Sequence, residues 1–118
     1  PGLAPVVMLD WQAIMVSNPM QDLAWLLNSG FDIELRRKHE EEFLAYYCER
    51  LAGAGVSGYS LDQARDDYDM GLLWMLCYPV IIGGAFDPAN ERGKALTEVC
   101  LRRATAAVSD RGLLARIP

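Results

Sequence analysis

The sequence is poor in the features that mark several common classes of protein. It has three cysteines, Cys48, Cys77 and Cys100, and no C-x-x-C pair. An odd count at wide spacing makes neither a disulfide framework nor a zinc site, so three reduced, mostly buried thiols in a cytoplasmic protein are expected. Basic charge is also scarce. Eleven Lys and Arg stand against sixteen Asp and Glu, for a formal net charge of −5 and a pI near 4.7. A nucleic-acid module would carry a basic patch instead. No basic segment precedes the first apolar run, and Pro5 interrupts it, which argues against a signal peptide. There is no internal repeat, low-complexity tract or linker. The one histidine, His39, lies among charges beside Phe43 with no nearby Ser, Cys or second His to form a nucleophilic set. It reads as a partly exposed helix residue.

Apolar sequence, by contrast, is plentiful. Of 118 residues, 52% are hydrophobic and 23% charged, which excludes disorder and fits one soluble domain. The chain opens on Pro1 and runs at once into strand-like sequence, so it reads as a piece of something longer. Met70 to Phe86 carries no charge. It is slightly short for a membrane span, contains Pro79, Gly83 and Gly84, and lacks basic flanks. A buried core helix is the expectation, and no membrane partner.

Pro5 to Trp11 reads as a buried strand. Gln12 to Val16 reads as a second short strand or a turn back along the first. Asn18 and Pro19 start a helix, with Gln21 three residues after the cap, and Gly30 stops it. Asp32 caps the next helix, to about Ala52, with Phe43, Tyr47 and Leu51 as its apolar stripe and Leu44 and Cys48 beside it. The opposite charges in its middle, Arg36, Arg37, Lys38, Glu40, Glu41 and Glu42, fall four apart and read as a solvated face. Ser60 and Gln63 form a capping box. The helix that follows starts acidic, with Asp62, Asp66, Asp67 and Asp69 as a solvated first turn, and becomes wholly apolar from Leu72. Pro79 should kink or end it. Asp87 and Pro88 precede a last helix, Ala89 to about Ser109, with one face marked by Leu96, Val99, Cys100 and Arg103.

The most informative segment is Leu9-Asp10-Trp11-Gln12 followed by Pro19-x-x-Asp22-Leu23-Ala24. An acid at the end of an apolar strand is costly unless it binds a cation or accepts several hydrogen bonds. Asp22 falls in the first turn of a helix, where the dipole favours a carboxylate. These residues resemble the kinase-like small-molecule phosphotransferases: the aminoglycoside phosphotransferase family with its choline-kinase and ecdysteroid-kinase-like relatives. The twelve-residue step from Asp10 to Asp22 matches that family, as do Trp11, Gln12, Pro19, Leu23 and Ala24. Downstream, Glu34, Arg37, Tyr46-Tyr47, Leu51, Gly55 and Tyr59-Ser60 look like its C-terminal helices. Ser17 and Asn18 depart from the usual Gly and Asp of the loop, and the His-Gly-Asp…Asn catalytic loop and the ATP-binding lobe are not in this chain.

The resemblance implies a mainly α C-terminal subdomain of a protein-kinase-like α+β fold. Residues 1–17 would hold one or two short β-strands and the metal-Asp loop, and residues 18–118 a helical bundle. It implies ATP and Mg²⁺ as cofactors of the complete protein, with Asp10 as the metal-binding carboxylate. Mg²⁺ is hard and takes one or two carboxylates plus phosphate oxygens. Asp22 would steady the catalytic loop, with no catalytic residue in this chain. Among these kinases amine substrates are common, so Asp66 and Asp67 with Trp74 and Tyr78 form a candidate small-molecule pocket, solvated carboxylates and core packing being the plainer readings. A missing N-terminal lobe or a second copy would cover an exposed face.

Overall fold

A computed structural model describes residues 11–87 and 89–116, apart from the side chain of Ala13. The strand expected over Pro5–Trp11, and Asp10 with it, lies outside them but for Trp11. Trp11–Ala13 form a single 3₁₀ turn, and Gln12 to Val16 form no strand. Four helices follow: α1 (Met20–Gly30), α2 (Ile33–Gly53), α3 (Leu61–Ala85) and α4 (Glu91–Asp110), with a closing 3₁₀ turn over Leu113–Arg116. Among the described residues there is no strand, and the fold is mainly α.

Local chemistry accounts for the helix starts. Asn18 Oδ1 accepts from the Met20 N–H at 2.8 Å, Asp32 Oδ1 from Leu35 at 2.8 Å, Ser60 Oγ from Gln63 at 3.1 Å and Asn90 Oδ1 from Gly93 at 2.9 Å. Each satisfies a backbone donor that has no partner within its helix. The chain leaves α1 through Phe31 in an extended conformation. It leaves α2 through Gly55, whose φ of 87° suits a residue without a Cβ.

Helix α3 is the hub, packed between α1 and α4. The core gathers Met20, Ala24 and Leu27 from α1, Leu44 from α2, Ala64, Tyr68, Leu72 and Met75 from α3, Ala107 and Val108 from α4, and Leu113. At the α1–α3 crossing, a Cβ on Gly71 would stand 3.1 Å from the Met20 carbonyl oxygen and 3.3 Å from Gln21 Cα. Two backbones meet there, and only hydrogen fits between them.

Several expectations are corrected. Met70 to Phe86 is not a wholly buried helix. Gly71, Leu72, Met75 and Pro79 are buried, while Met70, Trp74, Cys77, Val80 and Ile81 face outward. By length and composition α3 could cross a membrane, but a third of its most apolar window is packed inside the fold. Pro79 does not end α3, which continues to Ala85. The buried side of α4 is Gly93, Ala104, Ala107 and Val108, and Leu96 is exposed. Small side chains let α4 approach α3 closely, so the packed face is set by size rather than by hydropathy. None of the three thiols is fully buried, and Cys77 is exposed.

Candidate functional site

The motif residues that can be placed cluster at the start of α1. Asn18 Nδ2 donates to the Asp67 carbonyl at 3.1 Å, and the Tyr59 hydroxyl donates to Asp67 Oδ2 at 2.8 Å. The loop entering α1 is thereby pinned to α3. Ser17 Oγ donates to Gln21 Oε1 at 2.7 Å, closing that loop. Trp11, Ile14, Met15 and Val16 stand exposed beside it. Asp22 is exposed in the first turn of α1, and its carboxylate bonds to none of the described residues. Among those residues no three His, Cys, Asp or Glu side chains come together as a metal site. Asp22 alone does not make one. Asp10, expected from the resemblance as the metal carboxylate, lies outside the described residues. A Mg²⁺ ion that takes one or two carboxylates and otherwise phosphate oxygens and water needs no such trio.

The four residues of the candidate pocket are spread along α3. Twelve residues from Asp66 to Tyr78 span about 18 Å of helix. Asp67, Trp74 and Tyr78 share one side of α3, while Asp66 lies about 100° around the axis from its neighbour Asp67. The Tyr78 ring meets Trp25 edge-on, with centroids 4.0 Å apart. Asp67 is engaged by Tyr59, and no hydrogen bond or ring contact joins any two of the four. The cavities lie elsewhere. A groove of about 810 Å³ runs along α2 past Phe31, Leu35, His39, Phe43 and Tyr46. A hollow of about 330 Å³ sits where α3 hands over to α4. His39 is partly exposed, as expected, with Nδ1 2.8 Å from Glu42 Oε2.

Sequence reasoning missed the densest polar feature. The middle of α2 is not uniformly solvated: Arg36 is 2% exposed and Glu40 is buried beside it. Arg36 Nη1 bonds Glu40 Oε2 at 2.5 Å, and its Nη2 bonds Asp110 at the end of α4. Arg111 bonds Asp69, lies 3.5 Å from Glu40 Oε1, and has its guanidinium carbon 5.4 Å from the Tyr68 ring centroid. Arg116 reaches the other Asp69 oxygen at 3.0 Å. Asp69 therefore leaves the solvated acidic turn and becomes a buried ion-pair partner. The cluster joins α2, α3, α4 and the final turn, with its buried charges paired, which is what buried charge requires. The available signal was Asp110-Arg111 placed just before Gly112, a charged pair at a helix exit.

The cluster moves protonation equilibria. Hydrogen bonds from Arg37 and then Arg36 hold the Asp110 carboxyl below the usual range. Burial pushes Glu41 up, but Arg65 and Arg111 outweigh it and hold it low. Burial raises both Tyr68 and Tyr59, and the negative charges of Glu40 and Asp67 respectively raise them further. A phenol whose folded pKa exceeds its unfolded value stabilises the fold below that unfolded value, near 10. The contribution is lost as pH rises beyond it. The urea midpoint is therefore expected to fall between pH 9 and about 11, and to fall less steeply in Tyr59→Phe/Tyr68→Phe. Parallel curves for the two proteins would show that these phenols do not titrate differently on folding.

Comparison with known proteins adds one finding. The model of the Ecdysteroid kinase-like family matches residues 2–55. The match runs from the segment before Asp10 through the whole of α1 and α2, and over it the kinase-like family resemblance is shown. No curated protein and no solved structure matches the chain.

Proposed function

We propose that this kinase-like chain is the C-terminal part of a phosphotransferase that moves the ATP γ-phosphoryl group to a hydroxyl of a small molecule. The observation that carries the reading is the family match over residues 2–55, which includes both Asp10-Trp11-Gln12 and Asp22-Leu23-Ala24. In this reading Asp10 would hold Mg²⁺, which neutralises charge on the phosphates when bound. Asp22, at the end of a helix pinned by Asn18 to α3, steadies the catalytic loop and does not itself react. The catalytic base, the second metal ligand and the nucleotide lobe come from polypeptide outside these 118 residues.

Phosphoryl transfer depends on holding nucleotide, metal and acceptor together. The purified chain is therefore expected to show no ATP turnover with Mg²⁺ present, and turnover above background would overturn that. The family reading itself is tested by the reading frame upstream of Pro1. A His-Gly-Asp…Asn motif about twenty residues before Asp10 supports it, on the length of such catalytic loops. A start codon in its place favours the second reading, a non-catalytic helical interaction module derived from such a kinase. The exposed apolar side of α3 is the observation in favour of that reading.

A further inference from the structure

Along α3, Met70, Trp74, Cys77, Ile81 and Gly84 follow one another at intervals of four, three, four and three. At 100° per residue they occupy an arc of about 80°, a narrow stripe parallel to the helix axis. Met70 is 55% exposed, Trp74 47% and Ile81 67%, and Val80 and Ala85 flank the stripe in the open. The opposite side of the helix is packed against α1 and α4. We propose that two copies of this chain pair through this stripe as antiparallel α3 helices about a two-fold axis near Cys77.

Charge and shape favour a second copy. The chain has a formal net charge of −5, yet Met70 to Phe86 contains no charged residue. Two copies can therefore meet here without opposing like charges, and a partner that recognises charge finds nothing to grip. The stripe is bulky at one end, Met70 and Trp74, and small at the other. At Gly84 an added Cβ would meet nothing within 4 Å. A two-fold contact is self-complementary, each residue meeting its counterpart's neighbour in turn. Antiparallel helices set the bulky half of one copy against the small half of the other. Parallel helices would stack Trp74 on Trp74 and leave a void at Gly84. A stripe of five residues makes a small interface by the standard of specific complexes, so the pair exchanges with monomer. A bilayer fits less well. Asp62, Arg65, Asp66, Asp67 and Asp69 crowd the first turns of the same helix, and spanning would break the Asp69 ion pairs.

The readouts of the pairing are mass and cross-links rather than nucleotide chemistry, so it can fail while the phosphotransferase reading stands. A single-chain mass once the upstream polypeptide is attached would mean that this polypeptide covers the stripe and would overturn the pairing. Light scattering is expected to show a concentration-dependent rise above the 13.1 kDa of one chain. A short bismaleimide is expected to link two chains through Cys77, the exposed thiol, and Cys77→Ser to abolish the product. In that Cys77→Ser background, tagged Trp74→Cys mixed with untagged Ile81→Cys should give mostly the mixed product. Trp74→Cys linking chiefly to itself would overturn the antiparallel arrangement. Ile81→Glu, at an exposed position, should keep the helical circular dichroism and return the mass to one chain. An unchanged dimer in that variant, a single-chain mass at all concentrations, or sedimentation with phosphatidylcholine vesicles in place of dimerisation would each overturn the proposal.

Discussion

Replacing Arg36 with methionine is expected to lower the free energy of unfolding by about 3 kcal/mol, the lower end of the range for breaking a buried ion pair from one side. Methionine fills much of the same volume, so the change isolates charge. It leaves Glu40 without its 2.5 Å partner and takes from Asp110 the buried one of its two arginines. Arg111 at 3.5 Å still compensates Glu40 in part, and Arg37 still holds Asp110. That residual pairing is why the lower end applies. Against a total of about 5–15 kcal/mol for a domain of this kind, the loss is roughly a fifth to three fifths of the whole. Arg37→Met is the control. Arg37 also bonds Asp110, but its side chain is 45% exposed, and exposed pairs contribute little. Urea unfolding followed by circular dichroism separates the two. Equal, small losses would mean that the Arg36 charges are solvated in solution.

A comparable loss is expected at Tyr68, from its ring and not its hydroxyl. The residue is wholly buried at the centre of α3, and Arg111 lies over its face. Its hydroxyl donates to Glu40 at a long 3.4 Å, while Arg36 and Arg111 already serve that carboxylate. Tyr68→Phe is therefore expected to cost about 1 kcal/mol or less. Tyr68→Ala opens a cavity between the apolar core and the charge cluster, and removing an aromatic ring from a core costs about 3–5 kcal/mol. The same unfolding experiment reads both. If Tyr68→Phe were as damaging as Tyr68→Ala, the hydroxyl would be the anchor and the ring incidental.

How much of this was legible depends on the distance over which each feature is decided. Asn18, Asp32 and Ser60 announce helix starts because the donors they satisfy lie two or three residues on. Arg36 and Glu40 did not announce their burial. An i, i+4 pair of opposite charge looks the same on a solvated face and in a cluster. What separates the two cases is Asp110 and Arg111, more than seventy residues downstream. The α3 stripe was misread for a related reason: apolar sequence states a preference for burial, and whether anything covers Trp74 and Ile81 depends on the rest of the fold. For the site, the spacing from Asp10 to Asp22 was readable as a motif. Asp22 falls where the motif puts it, in the first turn of α1, and Asp10 lies outside the described residues. The proposed pocket drew Asp66, Asp67, Trp74 and Tyr78 from one helix, and a helix spreads such residues along its length instead of gathering them around a ligand.

The ion-pair cluster also bears on the order in which the chain is made. Asp69 is neutralised by Arg111 and Arg116, which follow it by 42 and 47 residues, and Arg36 reaches across 74 residues to Asp110. A chain emerging from the ribosome presents α2 and α3 long before those counter-charges exist. Closing the two helices early would bury Glu40 with only part of its pairing and Asp69 with none, at a cost of several kcal/mol for an unpaired ion. Early closure of α2 on α3 is thus disfavoured until the residues from Asp110 to Arg116 are available to pair. A chain truncated before Asp110 is therefore expected to pack α2 against α3 less stably than the full chain.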